Sequence, residues 1–506
     1  MMKKLSIFTI LGLLAAISCS CKGGEDPEKP VTPDPDPDPV VPVVTEGATV
    51  WTTTFDKSRD FEKQTISFGK AATMSPYAVR FTSDEYQSVD GFGLAVTQAS
   101  CYILQQMAPA DRTRLLKDLF SPTEGAGSSL IRVCIGGSDF SMSEYTWCDT
   151  EGISNLKIHE SEYQYLFPIL DEIYAINPDV QIIGSPWSCP RWMKMDVAGN
   201  GNAFNSWTSG RLNPKYYADY ARLFVYWVQQ MEKRGYKVLA VTLQNEPLNH
   251  GNSMSLYMPW EDQRDFLKVV GPMFAAEGLK TKILLFDHNY NYDNQNDQRQ
   301  YPLKIFADAE ASKYAAGSAW HNYGGNVSEL DNIHSSAPGK DIYFTEASIG
   351  TWNYGQPGRG FASLFEEDFR DIILGTLSRY GKGVTLWNLA LSDEGKPFRP
   401  GGCSTCYGAI SVNHDGWSLA SVDHKSHWYD VIHSSVAVKP GAVRIGTDGF
   451  TKKNLTYLAF RNPDSSYGVL ILNSNADQQQ LVFATDAHSV SVNVPGKSVV
   501  SLKWKD

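Results

Sequence analysis

The sequence has fewer basic than acidic residues, and it lacks the clusters of cysteine and histidine that bind metal ions. Its 45 lysines and arginines are outnumbered by 56 aspartates and glutamates, which gives a formal net charge of −11. Nucleic acids and anionic membrane surfaces require basic patches, so neither is an expected partner. Cys403 and Cys406 have zinc-knuckle spacing, but no second cysteine pair or histidine cluster completes such a site. We therefore expect no metal or other cofactor, and either a local disulfide or two free thiols at this pair.

The chain also lacks an internal repeat and a long hydrophobic run near its start. No period of about 20–50 residues is present, so a repeat architecture is not expected. The early apolar segment Leu5–Ile17 follows two lysines and is shorter than the ~20 residues of a transmembrane helix. Small residues before Cys19 make residues 1–21 similar to a bacterial lipoprotein signal, in which the cysteine is lipidated. Cys21 is the alternative lipidation site.

The next segment, residues 22–45, is rich in alternating proline and aspartate. Proline removes backbone donors and the acids repel one another, so this segment is predicted to be an extended, disordered tether. We expect an exported lipoprotein at the outer membrane or cell surface that touches the membrane only through its N-terminal anchor. Without lipidation, the same signal predicts a secreted or periplasmic protein. A monomer is the default expectation.

Eight short, β-rich apolar runs follow one another with helical segments between them. Near-continuous hydrophobic strands of this kind are typical of buried parallel sheets. Eight strand–helix units predict an α/β fold of the (β/α)8 TIM-barrel type over residues 81–432. The predicted strands are Ser88–Val96, Leu130–Gly136, Gln181–Trp187, Val238–Asn245, Ile283–His288, Gly317–Tyr323, Asp341–Ala347 and Gly383–Leu391.

The pattern changes in the last part of the chain, where short strands with two-residue alternation are separated by turn residues. These strands predict an appended antiparallel β-sandwich domain over residues 433–506. Residues 46–80, before the first barrel strand, are also β-like and are predicted to join the sandwich. The five C-terminal strands are expected at Asn454–Phe460, Tyr467–Asn473, Gln480–Ala484, Ser489–Val494 and Ser498–Trp504.

Two carboxylates stand where predicted barrel strands give way to loops. Glu246 directly follows the fourth strand, and Glu346 lies at the end of the seventh strand. Polar residues at the C-terminal ends of barrel strands face the active site. Retaining glycosidases need two such carboxyl groups ~5–5.5 Å apart, one as nucleophile and one as general acid/base. The sequence therefore predicts a glycoside hydrolase with Glu246 and Glu346 as its catalytic pair.

Several motifs, in order along the body of the chain, resemble glycoside hydrolase family 30, the glucosylceramidase-like family. The motifs are Gly91-Phe92-Gly93, Ile131-Arg132-Val133, Ser138-Asp139-Phe140-Ser141, Ser185-Pro186-Trp187, Pro190 to Lys194, Asn245-Glu246-Pro247, Thr345-Glu346-Ala347 and Leu386-Trp387-Asn388-Leu389-Ala390-Leu391. The resemblance implies a (β/α)8 barrel with a side β-sandwich and a retaining mechanism through a covalent glycosyl-enzyme intermediate. It implies Glu246 as acid/base and Glu346 as nucleophile. It places a set of substrate-binding residues around them, namely Arg132, Asp139, Trp187, Asn245, His288, His321, Tyr323, Trp387 and Asn388.

Within the family, the chain resembles the endo-β-1,6-glucanase group, through Asn245 to Gln263 and Asp287 to Asp293. This implies endo action on a pustulan-like β-1,6-glucan. The alternatives are an exo-β-glucosidase, a glucosylceramidase or a xylanase of the same family. Gln98 stands where the family often has aspartate, which weighs against glucosylceramide. An inactive surface glycan-binding lipoprotein is a further alternative, which the presence of both glutamates disfavours.

Overall fold

A computed structural model describes residues 46–70 and 75–506 of the chain. The predicted signal peptide, the predicted tether and Cys19 lie outside the described residues. Within the described residues, no helix is long and apolar enough to span a bilayer.

Eight parallel strands close into a barrel, which confirms the predicted (β/α)8 fold. Each strand is buried because helices cover the outside and side chains fill the inside. Leu130, Ile183, Leu284 and Tyr343 belong to a fully buried cluster of strand residues that plugs the barrel interior. The interior is therefore a packed core, as is usual for this fold. In chain order the strands are Gly91–Ala95, Leu130–Cys134, Gln181–Ser185, Lys237–Thr242, Lys282–Asn289, Gly317–His321, Asp341–Glu346 and Gly381–Asn388.

Helices alternate with these strands, and their ends follow local signals. The side chain of Asn213 accepts from the backbone N–H of Lys215 and caps the turn that leads into Tyr217–Lys233. Gly235, at φ +90°, stops that helix. The α-helices are Gln98–Gln106, Pro109–Phe120, Phe167–Ile176, Tyr217–Lys233, Trp260–Ala276, Tyr301–Phe306, Ala309–Ser312, Glu329–Ser336, Phe361–Asp368, Gly375–Ser378 and Ser426–Ala437. The 3₁₀ turns are Ile153–Asn155, Arg191–Met193, Pro214–Tyr216, Tyr292–Asn294, Asn296–Gln298 and Leu419–Ser421, and the π turns are Glu162–Leu166 and Phe369–Leu374.

The second part of the fold is a ten-stranded sheet that packs around its own apolar core, the predicted β-sandwich. It joins strands from both ends of the described chain. Neighbouring strands within this sheet are antiparallel except for one pair, Ala78–Val89 and Gln479–Ala484, which is parallel. The strands are Gly47–Thr54, Glu62–Ser67, Gly69–Lys70, Ala78–Val89, Ala442–Gly449, Leu455–Arg461, Tyr467–Asn473, Gln479–Ala484, His488–Val494 and Ser498–Trp504.

The junction between the two parts differs from the predicted boundaries. The run Ser88–Val96 was predicted as one barrel strand after a boundary at residue 80. In the structure, the sandwich strand continues to Val89, and the barrel begins at Gly91. Gly91 has φ +145° and lies so close to Ser129 that a Cβ would meet the serine Oγ at 2.2 Å. The chain therefore changes sheets at this glycine, which follows Asp90 in an Asp-Gly pair of the kind that marks a turn.

The later boundary, predicted between residues 432 and 433, falls inside a helix. Ser426–Ala437 is buried along its whole length and contacts strands of both the barrel and the sandwich. It also packs against the helix Phe361–Asp368. Because one helix serves both cores, barrel and sandwich share a single packed interior at this point.

Short strands at the barrel rim shape the mouth of the site. Ile349–Gly350, just after Glu346, pairs antiparallel with Cys406–Tyr407. The pairing holds the segment after the seventh barrel strand against the segment that contains Cys406. The other short strands are Lys194–Met195, Arg211–Leu212, Ala390–Ser392, Ile410–Val412 and Val422–His424.

A buried carboxyl in the barrel shell makes stability depend on pH. Glu162 is 1% exposed and accepts from Trp147 Nε1 at 2.7 Å and from the Tyr145 hydroxyl at 3.1 Å. Burial raises the pKa of Glu162 from 4.5 to about 7, although both hydrogen bonds act against the rise. Between these values the native chain keeps a proton that the unfolded chain has lost, so stability falls as pH rises. The loss is complete above pH 7 and amounts to about 3 kcal/mol.

Glu162→Gln keeps the acceptor oxygen and removes the charge. We expect this variant to melt a few degrees above the wild type near pH 8 and at the same temperature near pH 4.5. Calorimetric Tm values at the two pH values check this. A difference of the same size at both pH values would contradict the assignment.

Candidate active site

Glu246 and Glu346 face each other across the mouth of the barrel, as predicted. Glu346 is the last residue of the strand Asp341–Glu346, and Glu246 lies shortly after the strand Lys237–Thr242. A carboxylate oxygen of one lies within 4.8 Å of an oxygen of the other. They border a cavity of about 320 Å³. Its lining comprises Asp139, Trp187, Asn245, Glu246, Asn249, Asn252, His288, Asn289, Asp293, Tyr323, Glu346, Ser348, Trp352, Trp387, Cys403, Thr405 and Cys406.

Each oxygen of the Glu346 carboxylate accepts a hydrogen bond. Arg132 Nη1 donates to Oε2 at 2.5 Å, and the Tyr323 hydroxyl donates to Oε1 at 2.9 Å. Burial raises the pKa of Tyr323 well above its usual range, as does the negative charge of Glu346, so the phenol stays neutral and donates. Hydrogen bonds accepted at both oxygens favour the ionised form of the carboxyl group. This geometry suits Glu346 to nucleophilic attack.

Glu246 is held by a different set of partners. Asn249 Nδ2 donates to Oε2 at 2.8 Å, and Oε1 lies 3.4 Å from Nδ1 of His321. His288 Nε2 is 3.9 Å from the same oxygen. The backbone of Glu246 has φ +45°, and its N–H donates to the Asp287 carbonyl at 3.0 Å. The main chain is therefore turned so that the side chain enters the cavity beside two imidazoles.

A fully buried carboxylate, Asp287, connects both catalytic candidates. Its Oδ2 accepts from Arg132 Nη2 at 2.8 Å, and its Oδ1 lies 3.0 Å from His321 Nε2. Thr345 Oγ1 donates to Oδ1 at 2.6 Å. Burial opposes ionisation, but Arg132 and His321 outweigh it and hold the pKa of Asp287 well below its usual range. Asp287 therefore neutralises part of the positive charge beneath the two glutamates.

The two glutamates and His321 titrate as a group. Burial raises the pKa of Glu346, and the charge of Glu246 adds to this, while His321 and Arg132 oppose it. Burial acts in the same direction on Glu246, but the hydrogen bond to His321 and the charge of His288 lower its pKa to about 2. Burial lowers the pKa of His321, yet the carboxylates around it raise the value to about 9. The imidazole of His321 thus carries the proton closest to Glu246.

Aromatic rings and an arginine form the floor of the cavity. The indoles of Trp187 and Trp387 are stacked with centroids 5.1 Å apart. The Arg132 guanidinium lies 4.9 Å from the Trp187 ring centroid and 5.5 Å from that of Trp387. Arg132 Nη2 also donates to the amide oxygen of Asn245 at 2.7 Å, which aims the asparagine nitrogen away from the arginine. This floor offers apolar faces and one oriented amide to a ligand.

Asp139 lines the cavity next to the Cys403–Cys406 pair, which is a disulfide in the structure. The Cys403 N–H donates to Asp139 Oδ2 at 3.3 Å, and Asp139 Oδ1 has no protein partner. Burial raises the pKa of Asp139 to about 7, and the charges of Glu346 and Glu246 contribute to the rise. Asp139 thus places a buried, unpartnered oxygen at the wall of the cavity. The disulfide excludes the alternative of two free thiols.

Comparison with known proteins agrees with this geometry. The glycosyl hydrolase family 30 TIM-barrel domain matches residues 89–401, and the family 30 β-sandwich domain matches residues 441–502. The chain belongs to glycosyl hydrolase family 30. It is therefore a glycoside hydrolase, as the two carboxylates predict.

Among its family 30 relatives are endo-1,6-β-D-glucanases and glucosylceramidases. It is 32% identical over 444 residues to the endo-1,6-β-D-glucanase BGN16.3 of Trichoderma harzianum, covering 83% of this chain and 85% of that protein. A solved endo-β1,6-glucanase structure has a TM-score of 0.87 and 46% identity, with 91% of this chain and all of that chain (100%) covered. The lysosomal acid glucosylceramidase of Mus musculus is 26% identical over 439 residues, covering 83% of this chain and 82% of that protein.

Of the residues predicted to bind substrate in this family 30 chain, six border the cavity. Arg132 and His321 lie beneath the cavity and do not line it. Arg132 contacts Glu346, and His321 contacts Glu246. Asn388 is not among the residues that line the cavity, and its amide oxygen accepts from Thr97 Oγ1 at 2.7 Å. This asparagine anchors the first helix to the eighth strand, one layer behind the site. The six at the cavity are Asp139, Trp187, Asn245, His288, Tyr323 and Trp387.

Other residues of the family 30 site were not predicted from the sequence. Asp287 lies near the end of the fifth strand, and position at a strand end is the signal that identified the two glutamates. Asn249 follows Glu246 by three positions and donates to it. Trp352 is 44% exposed at the cavity rim, in the segment after Glu346. A strand-end rule applied to all eight strands would have found Asp287, whereas Trp352 carries no local signal.

Proposed function

We propose that this enzyme cleaves β-1,6-glucan by endo action with retention of configuration, with Glu346 as nucleophile and Glu246 as general acid/base. The observation that carries the mechanism is the approach of the two carboxylates to within 4.8 Å. Retaining glycosidases place them ~5–5.5 Å apart, whereas inverting enzymes need ~6.5–9.5 Å to admit a water molecule. The substrate rests on the endo-1,6-β-glucanases that this chain resembles.

In the first step, Glu346 attacks the anomeric carbon of the sugar in the cavity. The bond from that carbon to the glycosidic oxygen breaks, and the leaving oxygen takes a proton from Glu246. His321, whose Nδ1 is 3.4 Å from Glu246 Oε1, supplies the proton to the carboxylate. The products are a glycosyl ester on Glu346 and a shortened glucan with a free hydroxyl.

In the second step, Glu246 acts as a base. It removes a proton from water, and the water oxygen attacks the anomeric carbon and displaces Glu346. The proton then passes from Glu246 back to His321, which restores the starting state. Arg132 and Tyr323 donate hydrogen bonds to the Glu346 carboxylate as it departs. These donors are already in place, so they stabilise the negative charge that returns to its two oxygens. Two inversions at one carbon give overall retention.

The surrounding residues bind and orient the sugar. Asn245, whose amide oxygen is held by Arg132, presents its nitrogen to the sugar 2-hydroxyl. Asp139 accepts from a further hydroxyl through its free Oδ1. Trp187 and Trp387 pack against the apolar face of the ring. These contacts hold the anomeric carbon in front of Glu346.

Trp352 extends the site beyond the cavity. The cavity of about 320 Å³ lies at the lower end of the ~300–1,000 Å³ typical of small-ligand sites, so a polymer must continue outside it. The exposed indole of Trp352 offers a stacking face to the next sugar. We expect Trp352→Ala to raise KM for pustulan about 10-fold and to leave kcat/KM on a small aryl β-glucoside within about 2-fold. The exposed Tyr163 is a matched control, and an equal loss on both substrates would contradict this role.

Digestion of pustulan, a linear β-1,6-glucan, tests the proposed activity. We expect a ladder of gentio-oligosaccharides early in the reaction, with the β-anomer formed first. Glucose alone from the outset would indicate an exo-β-glucosidase instead. Release from xylan or from glucosylceramide without release from pustulan would assign the enzyme to one of those alternatives. Binding of pustulan without any turnover would indicate a glycan-binding lipoprotein.

Replacement of Glu246 tests the acid/base assignment separately. We expect Glu246→Gln to reduce turnover of pustulan by about 10³-fold, because the leaving alkoxide needs a proton. An aryl glucoside with an acidic phenol leaves without one, so its first step should slow far less and a burst of phenol should appear. The burst measures the glycosyl-enzyme that accumulates for lack of a base. Equal losses on both substrates with no burst would contradict the role.

We also propose that the enzyme is an exported monomeric lipoprotein, anchored through Cys19 to the outer membrane or cell surface. The lysines, apolar segment and small residues before Cys19 support this proposal. Mass spectrometry of the mature protein identifies the modified residue. A diacylglyceryl group on Cys21 would move the anchor by two positions, and an unmodified, cleaved N-terminus would indicate secretion.

A further inference from the structure

A second cluster of ionisable side chains lies away from the cavity, between two packed helices. Asp368 ends the helix Phe361–Asp368, and His427 and Asp430 stand three positions apart on the helix Ser426–Ala437. That spacing puts both side chains on one face of the helix. A carboxylate oxygen of each aspartate and a ring nitrogen of His427 all lie within 4.8 Å of one another.

The polar atoms of this cluster lack the partners that buried groups need. Asp430 is 0% exposed, and neither of its carboxylate oxygens has a hydrogen-bond partner. Nε2 of His427 has none either; it lies 3.4 Å from Asp368 Oδ2. The contact of Ser426 Oγ with Asp368 Oδ2, at 3.5 Å, is long. A buried carboxylate without a partner is strongly unfavourable, so Asp430 either takes a proton or binds a cation.

The catalytic cluster of Glu246, His321 and Glu346 is equally tight but differs in this respect. There, every carboxylate oxygen contacts a protein group, including Asn249 and Arg132. Among the described residues, no arginine or lysine forms an ion pair with Asp368 or Asp430. Tight spacing is therefore common to both clusters, and the unpartnered carboxylate distinguishes the second.

We propose that Asp368, His427 and Asp430 bind a divalent transition-metal ion, for which Zn²⁺ is the best match. Zinc takes imidazole nitrogen and carboxylate oxygen at ~2.0–2.2 Å, so three ligand atoms around one ion lie within ~4.4 Å of each other. The present separations reach this value with small side-chain shifts. One imidazole beside two carboxylates favours zinc over calcium or magnesium, which prefer oxygen alone. Two aspartates and a neutral histidine also balance the charge of the ion.

The proposed site has a structural consequence. It ties the helix Phe361–Asp368 to the helix Ser426–Ala437, which is packed against both barrel and sandwich strands. The N–H of Ser426, next to His427, donates to the Tyr354 hydroxyl at 3.1 Å. Tyr354 lies two positions after Trp352 in the segment that follows the nucleophile strand. A bound ion stabilises the junction of the two cores and, through Tyr354, the rim of the active site.

Metal analysis of the full chain tests the proposal. The wild type, Asp430→Asn and Glu246→Gln are each produced with zinc in the medium, freed of loose metal and measured by inductively coupled plasma mass spectrometry. We expect about one zinc per chain in the wild type and in Glu246→Gln, and at least a 10-fold lower content in Asp430→Asn. Glu246→Gln is the matched control because it lowers metal content only if the ion sits at the catalytic cluster. Loss of zinc from Glu246→Gln alone would overturn the proposal.

Thermal unfolding gives a second measurement that does not depend on how well a variant folds. Removing zinc with a chelator is expected to lower the Tm of the wild type by about 5 °C, and zinc should restore it. Asp368→Asn should show no such response. A wild type that contains no metal and has the same Tm with and without chelator would overturn the proposal. It would indicate instead that Asp368 and Asp430 share a proton.

Discussion

Glu346→Gln is expected to reduce kcat on β-glucan by about 10⁴-fold or more while the protein remains folded. The amide oxygen accepts from Arg132 Nη1 in place of Oε2, and the amide NH2 donates to the Tyr323 hydroxyl oxygen in place of Oε1, so the local packing persists. It is a poor nucleophile, however, and no glycosyl ester can form. Initial rates on pustulan, together with Tm, measure the effect.

The matched control for this variant is Glu172→Gln. Glu172 accepts from Arg112 on the outside of the barrel, a contact of the same chemical type that lies far along the chain from either catalytic strand. We expect unchanged kcat in this control. Glu346→Gln should also bind pustulan without cleaving it. If Glu346→Gln kept a large fraction of wild-type activity, Glu346 would not be the nucleophile.

Arg132→Met is expected to cause the largest loss of stability, about 3–5 kcal/mol, together with a large loss of activity. Arg132 is 1% exposed and contacts Glu346, Asp287 and Asn245 at once. Its removal leaves two buried carboxylates without their cation. The pKa of Glu346 should rise further, because burial raises it and the guanidinium no longer opposes that rise, so a smaller fraction of the nucleophile is ionised.

The comparison for this variant is Arg112→Met. Arg112 forms a bidentate pair with Glu172, but its side chain is 15% exposed and that of Glu172 is 30% exposed. Solvent screens this pair, so we expect a loss of about 1 kcal/mol or less and normal activity. Chemical denaturation and the pH profile of kcat distinguish the two variants. A wild-type pH profile and equal stability losses would contradict the central role of Arg132.

The fold could be predicted because its signals are local. Each barrel strand is a buried apolar run, and the helix Tyr217–Lys233 has a cap before it and Gly235 after it. The junction was not predicted, because the predicted strand Ser88–Val96 runs through Asp90-Gly91, a pair that marks a turn. The close approach of Gly91 to Ser129 shows that one sheet ends and the other begins at this pair.

The site could be predicted where the position of a residue on its strand determines the direction of its side chain. Glu246 and Glu346 follow from this rule, since strand ends of a parallel barrel converge. Asp287 also lies near a strand end, but the direction of its side chain depends on an irregularity of the fifth strand: Phe286 and Asp287 have φ of +72° and +71°, and the register shifts beside them. That irregularity turns a residue of the strand toward Arg132, and simple alternation does not anticipate it.

The sequence by itself determined the barrel, the sandwich, the family and the two glutamates, because periodicity, turn residues and motifs are properties of neighbouring residues. Only the tertiary structure decided which charged and polar groups contact the two glutamates. Arg132 meets Glu346 across a separation of 214 positions, and Asn388 turned out to bond Thr97 behind the site. The unpartnered carboxylate of Asp430 is visible only where two helices pack. Electrostatic partners depend on distances of a few ångströms between remote segments, and those distances exist only once the chain has folded.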